Sequence, residues 1–376
     1  MDFTISDDQQ MLIDAVERYL ERQYKFGERV AHRVRSDAHW SDFAELGLLA
    51  LPFPEAYGGG GGGHIELALV MQAFGKANVT EPYVGAIAVA GALVKVAASA
   101  AQMDMLIPGM ADGSRIIVAA IEEPQARAEL WRIQTTYSVT DDGFVISGAK
   151  SGVLSGRADC LLVLARLAGG SVHCDNFRLF VVPTAAEGVY HISYPAVDGS
   201  EVSEYRFDRV QVGQGAQLGN GTKVLADVEF ALDVGRIAVC AEAVGIMEAV
   251  VLATTEYTKQ RRQFGASLAS FQALQHKMVD MLVHTEQAKS SLYRALAHID
   301  DASQRGGACA AAKAMIGTSA RFVGQQAVQI HGGMGMSEEM RVSHYFRRLT
   351  AIDQTFGNAS EHLRRLAMSI SAQARS

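Results

Sequence analysis

Between Tyr257 and Met278 the sequence reads YTKQRRQFGASLASFQALQHKM. Arg261 and Arg262 stand where a helical pattern breaks, Phe264-Gly265 follows, and Gln272 and Gln275 begin the next helical pattern. Arginine presents a forked donor that matches phosphate oxygens, and an aromatic ring offers a stacking face. A glutamine amide both donates and accepts. Such a set can grip something flat and doubly phosphorylated. It can also coat a surface: Gly265 suits a left-handed helix cap, and a basic pair favours the negative end of a helix dipole. A second element bears on the choice. In QIHGGMGM, Gln329 to Met336, Gly332 and Gly333 follow a long helical pattern, and bare backbone can approach a ligand closely. Taken singly, HGG is a plain helix terminator. Together the two stretches describe a pyrophosphate clamp built from Arg261, Phe264, Gln272, Gln329, Gly332 and Gly333. His331, His344 and His362 do not show the i, i+4 spacing with a third ligand that a metal site needs, so no metal is expected.

The elements that must carry these residues separate by periodicity. From Ser6 to about Asp112 the pattern is helical. Ser6 with Gln9 forms a capping box ahead of MLIDAVERYL, and helices are expected near Trp40–Leu49, Ile65–Lys76, Val84–Ala98 and Gln102–Met110. The six glycines Gly58–Gly63 have no propensity for helix or strand and read as a mobile turn. They lack the Lys-Ser/Thr that a phosphate loop requires. From Ser114 to about Val212 the period falls to two, through IIVAAIEE, RIQTTYSV, GFVISG, DCLLVLAR, FRLFVVP and EVSEYRFDRVQV, which suggests an antiparallel barrel or sandwich. From about Thr222 onward helices are expected over Val224–Gln260, Phe271–Ile299, Ala308–Gln329 and Asn358–Ala372, a four-helix bundle. The fold class is therefore α+β, with an N-terminal helical domain over 1–112, a middle antiparallel β domain over 113–218 and a C-terminal four-helix bundle over 219–376.

Composition sets the outer limits. A chain of 376 residues, 49% hydrophobic and 20% charged, holds enough apolar material for two or three packed regions. A formal net charge of −7 gives no reason to expect nucleic acid or an anionic membrane surface as partner. Cys160, Cys174, Cys240 and Cys309 are far apart and suit a reducing cytosol, as small buried apolar groups. The acidic start MDFTISDDQQ does not read as a signal peptide. The run VGAIAVAGALVKVAASA is too short and too weakly apolar to span a bilayer. A cytoplasmic location is expected.

RRQFG, the glutamine eight residues after its Phe, QIHGGMGM and the terminal RRLTAIDQTFGNASEHLRRLA resemble the acyl-CoA dehydrogenases, and LGLLALPFPEAYGG carries the likeness into the first domain. The resemblance covers essentially the whole chain. It implies bound FAD, tetramers, an acyl-CoA substrate and electrons passed to an electron-transfer flavoprotein. By motif, Arg261, Phe264 and Gln272 would contact the far end of FAD, and Gln329, Gly332 and Gly333 its pyrophosphate and adenosine. In this family those contacts reach the FAD of a neighbouring subunit.

The departures from the family are equally specific. Its catalytic Glu, which takes the α-proton, follows an aromatic residue in the terminal motif or precedes an Arg early in the bundle; those slots hold Gly357 and Gly235. A base must come within hydrogen-bond reach of its proton, and glycine brings no titratable group. In the β domain Glu123 and Pro124 persist, but Ala128 stands where a Ser is usual. Gly152 and Leu154 stand where an aromatic wall and a hydroxyl donor are usual. Arg236 is the surviving substrate-site residue, near the CoA or acyl entrance; the alternative is a helix-surface salt bridge with Asp233. Glu242, Asp353 and Glu361 are the replacement bases that helical spacing offers, although surface or capping roles suit them better. The pattern implies an accessory subunit of a heteromeric acyl-CoA dehydrogenase, whose related partner subunit supplies carboxylate and flavin site. The alternatives are a self-sufficient homotetramer with a non-standard base and a non-catalytic scaffold of the same fold.

Overall fold

The structure, a computed structural model, describes residues 4–27, 37–126, 129–170 and 174–373. Its helices are α1 (Asp7–Gln23), α2 (Trp40–Glu45), α3 (His64–Ala77), α4 (Gly91–Ala97), α5 (Ala100–Ala111), α6 (Val224–Gln260), α7 (Gln272–His298), α8 (Arg305–His331), α9 (Arg341–Gln354) and α10 (Ala359–Gln373). The strands are β1 (Ile117–Ala120), β2 (Thr136–Thr140), β3 (Gly143–Val153), β4 (Cys160–Leu167), β5 (Phe177–Pro183), β6 (Val189–Pro195) and β7 (Glu201–Gly213), with the short β8 (Arg262–Gln263) and β9 (Ala266–Ser267). The helical, β, helical order of the sequence is present. By contacts the chain forms two compact units: Met1–Val34, His64–Val79 and Arg236–Ser376 make one, and Arg35–Gly63 with Thr80–Gly235 make the other.

The first unit is helical. Ser6 caps α1 as expected, its Oγ accepting from the Gln9 amide at 3.2 Å while Gln9 Oε1 accepts from the Ser6 amide at 3.0 Å. Gln9 Nε2 then donates to Glu66, and Lys76 to Glu17, tying α1 to α3. Where α3 crosses α6 the backbones touch. A Cβ on Gly75 would overlap the Glu242 carbonyl, and one on Gly245 would overlap the Gln72 carbonyl. Only glycine permits that approach from both sides. Beside the crossing, Arg348 of α9 grips Glu242 with two bonds of 2.5 and 2.7 Å, a fork-on-carboxylate geometry that compensates burial of both charges. α6 is long and apolar enough to cross a membrane by length and composition, yet 72% of its most apolar window is buried inside the protein. The expected four-helix bundle gains a fifth helix: α9 follows α8 in the chain and, like α10, packs against it, with Val342, Tyr345, Leu349 and Ile352 buried along one face.

The second unit is built on a seven-stranded sheet with the order β1-β4-β2-β3-β7-β6, and β5 paired to β4. The expected antiparallel pairing holds for β2–β3, β3–β7, β4–β5 and β6–β7, but the sheet is mixed, because β4 pairs with β1 and β2 in parallel. Its continuous buried run from Cys160 to Ala165 is what a strand covered on both faces requires. Strand β6 was not legible as a strand because its residues are nearly all exposed and carry no alternation of burial. Inside the domain Lys150 Nζ donates to Glu123 Oε1 at 2.7 Å and to the Ile121 carbonyl at 3.0 Å. Burial pushes the Lys150 ammonium down to about 8, and the Glu123 charge opposes that fall. A π-helical stretch, Val84–Ala90, leads into α4, and a Cβ on Gly85 would stand 2.7 Å from the Leu154 carbonyl oxygen.

The six glycines are not the mobile turn that composition suggests. The amides of Gly58, Gly59, Gly60, Gly61 and Gly62 donate to the carbonyls of Glu55, Pro54, Ala50, Phe53 and Leu51 in bonds of 2.8–3.1 Å. A Cβ on Gly59 would overlap the Phe53 carbonyl. The run lies flat against residues 50–55, and no amide among these five is left for an anion.

The α3–α6 crossing yields a stability test. Gly245→Ala is expected to destabilise the protein by about 1–3 kcal/mol, the usual range for forcing an extra methyl into a filled site. Gly307→Ala, in α8 with nothing within 4 Å of the new Cβ, should be neutral or stabilising by about 0.5–1 kcal/mol. Urea titrations of both variants measure the difference.

Candidate functional site

The last turn of α6 delivers Arg261, whose amide donates to the Tyr257 carbonyl at 2.8 Å. The chain then folds into a two-residue hairpin, with Arg262 opposite Ser267 and Gln263 opposite Ala266. Phe264 and Gly265 form its tip with φ of 54° and 79°, the paired left-handed backbone of a type I′ turn. A phenylalanine in that region is uncommon and costs roughly 1–2 kcal/mol, and here its ring is 89% exposed. Arg261, Arg262 and Gln272 are exposed beside it. Gln275, the other glutamine at the start of α7, is structural instead: its Nε2 donates to the Ala269 carbonyl at 2.8 Å and holds the loop ahead of the helix.

The second element reaches the same end of the bundle. Tyr257 stacks on His331 at 4.2 Å between ring centres, 23° from parallel, which sets the hairpin following Tyr257 beside the glycines following His331. Burial lowers the His331 pKa, and its Nδ1 donates to the Ala327 carbonyl at 2.8 Å. Gly332 closes α8 at φ 63°, ψ −143°, a region essentially reserved for glycine. No atom lies within 4 Å of where a Cβ on Gly332 or Gly333 would stand, so open space lies over both. Gln329 is exposed one turn earlier. Arg261, Phe264, Gln329, Gly332 and Gly333 therefore share one exposed end. Thr258 donates to the Met278 sulfur at 3.4 Å and ties the beginning of α7, with Gln272, to it.

A second cluster surrounds Gly357. Phe356 and Gly357 both have left-handed backbone, φ 58° and 96°. The Lys313 ammonium donates to the carbonyls of Ile352, Asp353 and Gly357 at 2.8, 3.0 and 2.9 Å. His362 Nε2 donates to the Phe356 carbonyl at 2.9 Å. Asn358 and Glu361 cap α10 reciprocally at 3.0 and 3.1 Å. A Cβ on Gly357 would sit 3.0 Å from His362 Nε2, so the imidazole fills the space into which a side chain at 357 would grow. In the sequence His362 is weighed only as a metal ligand and set aside; its bond to the Phe356 carbonyl six residues earlier depends on the left-handed turn at Phe356 and Gly357, which no periodicity reports.

The replacement carboxylates are all engaged. Glu242 is held by Arg348. Asp353 accepts from Arg321 at 2.8 Å and from the Ala359 amide at 3.2 Å, and Glu361 caps α10. Arg236 and Asp233 are 3% and 1% exposed, which corrects the alternative of a helix-surface salt bridge. Cys240 is no nucleophile, since burial pushes its thiol up to about 12. Cys160, Cys240 and Cys309 form no disulfide and are buried as expected, while the Cys174 side chain lies outside the described residues.

These residues fit one end of FAD and not the other. Exposed forked donors, an upright aromatic ring and open glycine backbone suit a dinucleotide's phosphates and adenosine. In the β domain, by contrast, Glu123 is closed in by Lys150 and by the amides of Gln134 and Thr135 at 2.6 and 3.1 Å. A Glu122 carboxylate oxygen lies 3.6 Å from where a Cβ on Gly152 would stand, so a negative charge takes the place of an aromatic wall. Ala128 lies outside the described residues.

The buried imidazole provides a pH test. Burial, and after it the Arg236 charge with smaller contributions from Lys313 and Arg365, pushes His362 from 6.5 down to about 4. The unfolded chain takes up this proton below about 6.5 and the folded chain only near 4, so stability falls as pH drops through that window. At 1.36 kcal/mol per pH unit the contribution is about 3 kcal/mol. Urea midpoints measured from pH 7 to 4.5 should fall in the parent, and His362→Leu should flatten that portion of the profile.

Two family models match the chain: Acyl-CoA dehydrogenase, N-terminal domain, over residues 6–114, and Acyl-CoA dehydrogenase, C-terminal domain, over residues 220–371. Acyl-CoA dehydrogenase FadE12 of Mycobacterium tuberculosis is 30% identical over 360 residues, covering 91% of this chain and 90% of the relative. Butyryl-CoA dehydrogenase from Megasphaera elsdenii superposes with a TM-score of 0.90 at 26% identity, over 98% of this chain and all of that one. A steroid ACAD named Tcur3481-Tcur3483 superposes with a TM-score of 0.88 at 27% identity, over 99% of this chain and all of that one. The fold, the two matched domains and the full-length likeness agree, and the chain belongs to the acyl-CoA dehydrogenase family of FAD-dependent oxidoreductases acting on CH–CH bonds.

Proposed function

We propose that the chain is the accessory subunit of a heteromeric acyl-CoA dehydrogenase that desaturates an acyl-CoA between its α and β carbons. The observation that carries this reading is an asymmetry between two sites, the one that would grip a neighbour's FAD and the one that would seat this chain's own flavin. The residues for the phosphate and adenosine end are exposed and convergent, while the flavin end meets Glu122 and Gly152. The motifs quoted from the sequence resemble those of the small subunit of pimeloyl-CoA dehydrogenase, and the name Tcur3481-Tcur3483 joins two chains. FAD held by the related partner subunit would accept the β-hydride and pass electrons to an electron-transfer flavoprotein. This chain's part would be binding: Arg261 on the phosphates, Phe264 and Gln272 beside them, and Gln329 with Gly332 and Gly333 at the adenosine end. Arg236, buried on α6, is assigned to the substrate end. The assembly would be a cytoplasmic tetramer acting in degradation of an unusual acyl chain, and cysteines that form no disulfide suit that compartment.

A self-sufficient homotetramer would need a free base, and Glu242, Asp353 and Glu361 are each bound in structural pairs. Cofactor stoichiometry separates the readings. The chain purified alone should be colourless, and the partnered complex should hold one FAD for every two chains. Arg261→Ala should weaken FAD retention by the complex on the order of 10–100-fold, the worth of one charged hydrogen bond of about 1.5–3 kcal/mol. Flavin absorbance after gel filtration reports both. A yellow homo-oligomer with one FAD per chain would overturn the proposal, and indifference to Arg261→Ala would favour the scaffold.

A further inference from the structure

Strand β6, Val189–Pro195, ends the sheet: β7 lies on one side, and no strand lies on the other among the described residues. Its register with β7 is uninterrupted from Val189 opposite Phe207 to Pro195 opposite Glu201. The alternation of faces is settled by contacts. His191 stacks on buried Tyr205, and Ser193 Oγ lies 2.8 Å from both the Gly156 carbonyl and Ser203, so the odd-numbered residues turn toward the domain. Tyr190, Ile192 and Tyr194 turn outward and are 60%, 70% and 40% exposed, with Val197 beyond them at 59%.

A free edge of this kind is a template for another strand, and edges meant to stay free carry lysine, mid-strand proline, a bulge or few residues. β6 has none of these protections. VYHISYP contains no Asp, Glu, Lys or Arg, its proline is the last residue, and seven residues is longer than most strands. The outward-facing positions are symmetric about Ile192: Tyr190 and Tyr194 flank it at equal spacing, although the inward pairs His191/Ser193 and Val189/Pro195 do not match. We infer that β6 pairs with β6 of a second copy of this chain, antiparallel about a two-fold axis at Ile192, which joins the two sheets edge to edge. That register sets Ile192 against Ile192 of the second copy and Tyr190 against Tyr194. It forms aromatic cross-strand pairs, continues the backbone ladder and opposes no like charges. A strand of another protein would meet the same backbone but would not need the symmetric spacing. The contact is separate from the FAD clamp and does not depend on the accessory-subunit reading.

Charge reversal at the axis tests it. Ile192→Lys places two ammonium groups opposite each other, and Ile192→Glu two carboxylates, at Cβ separations of about 5 Å. Sedimentation velocity on the full-length chain, alone and with any partner that copurifies, should show each variant at half the parent's assembly mass. An equimolar mixture of the two variants, where Lys meets Glu, should restore that mass. Both substitutions are at an exposed site, so far-ultraviolet dichroism should match the parent, although Ile192→Glu stands opposite Glu204 of β7 and is the less stable of the two; FAD retention by a partnered complex should be unchanged. Variants that sediment like the parent, a mixture that stays dissociated, or loss of a different partner without change in the chain's self-association would each overturn the inference.

Discussion

One long apolar helix constrains most of what this chain can do. The 37 residues of α6 would span roughly 55 Å at 1.5 Å per residue, and so much apolar surface is stable in water only if other helices cover it. α3 covers it at the closest range two backbones allow, with Gly75 and Gly245 facing carbonyls of the opposite helix. Because that crossing fixes the helix, what the helix carries is fixed as well. Arg236 lies in its first half, and Tyr257, Arg261 and the hairpin come at its end. Both candidate sites are therefore consequences of how one helix is buried.

The Gly357 turn is filled by structural contacts. Its carbonyls are claimed by Lys313 and His362, its carboxylates by Arg321 and by the cap of α10, and the imidazole stands where a side chain at 357 would go. A buried ammonium without partners would be very costly, but one bonded to three carbonyls is tolerated. Its charge and that of Arg236 then help to keep His362 neutral. The result is a rigid turn with every visible acid committed to a neighbour. The absence of a side chain at Gly357 leaves no hole, because the surrounding polar groups close over it.

Much of this was legible in the sequence wherever the signal was local. The Ser6–Gln9 capping box, the extent of α6 and the helical, β, helical order each depend on residues within a few turns of one another. The misses share a cause as well. Six glycines carry no side-chain information, so composition described them as loose, whereas five amides bind carbonyls of residues 50–55. β6 is exposed on nearly every residue, so a search for buried alternation passes over it. The parallel pairing of β4 with β1 and β2 and the Glu242–Arg348 pair join positions far apart in the chain, and no periodicity reports them. In α9 the signal was present at Val342, Tyr345, Leu349 and Ile352, masked by the charged residues between them.

The clamp itself has a physical peculiarity that links these observations. Strained backbone persists where surrounding structure over-determines it, and Phe264 is strained at a tip where its own chain gives it little cover. Its nearest aromatic neighbour, Phe271, lies 6.2 Å away edge-on, too slight a contact to account for a left-handed phenylalanine with 89% of its surface in solvent. An apolar ring held upright at such a cost gains from burial only when another surface arrives, since covering a phenylalanine contributes about 1.5–3 kcal/mol. Gly332, whose glycine-only backbone closes α8, likewise keeps the space above it clear. Strain and exposure thus coincide with the two motifs that sequence alone picked out, and they leave an apolar ring and bare glycine backbone facing solvent together.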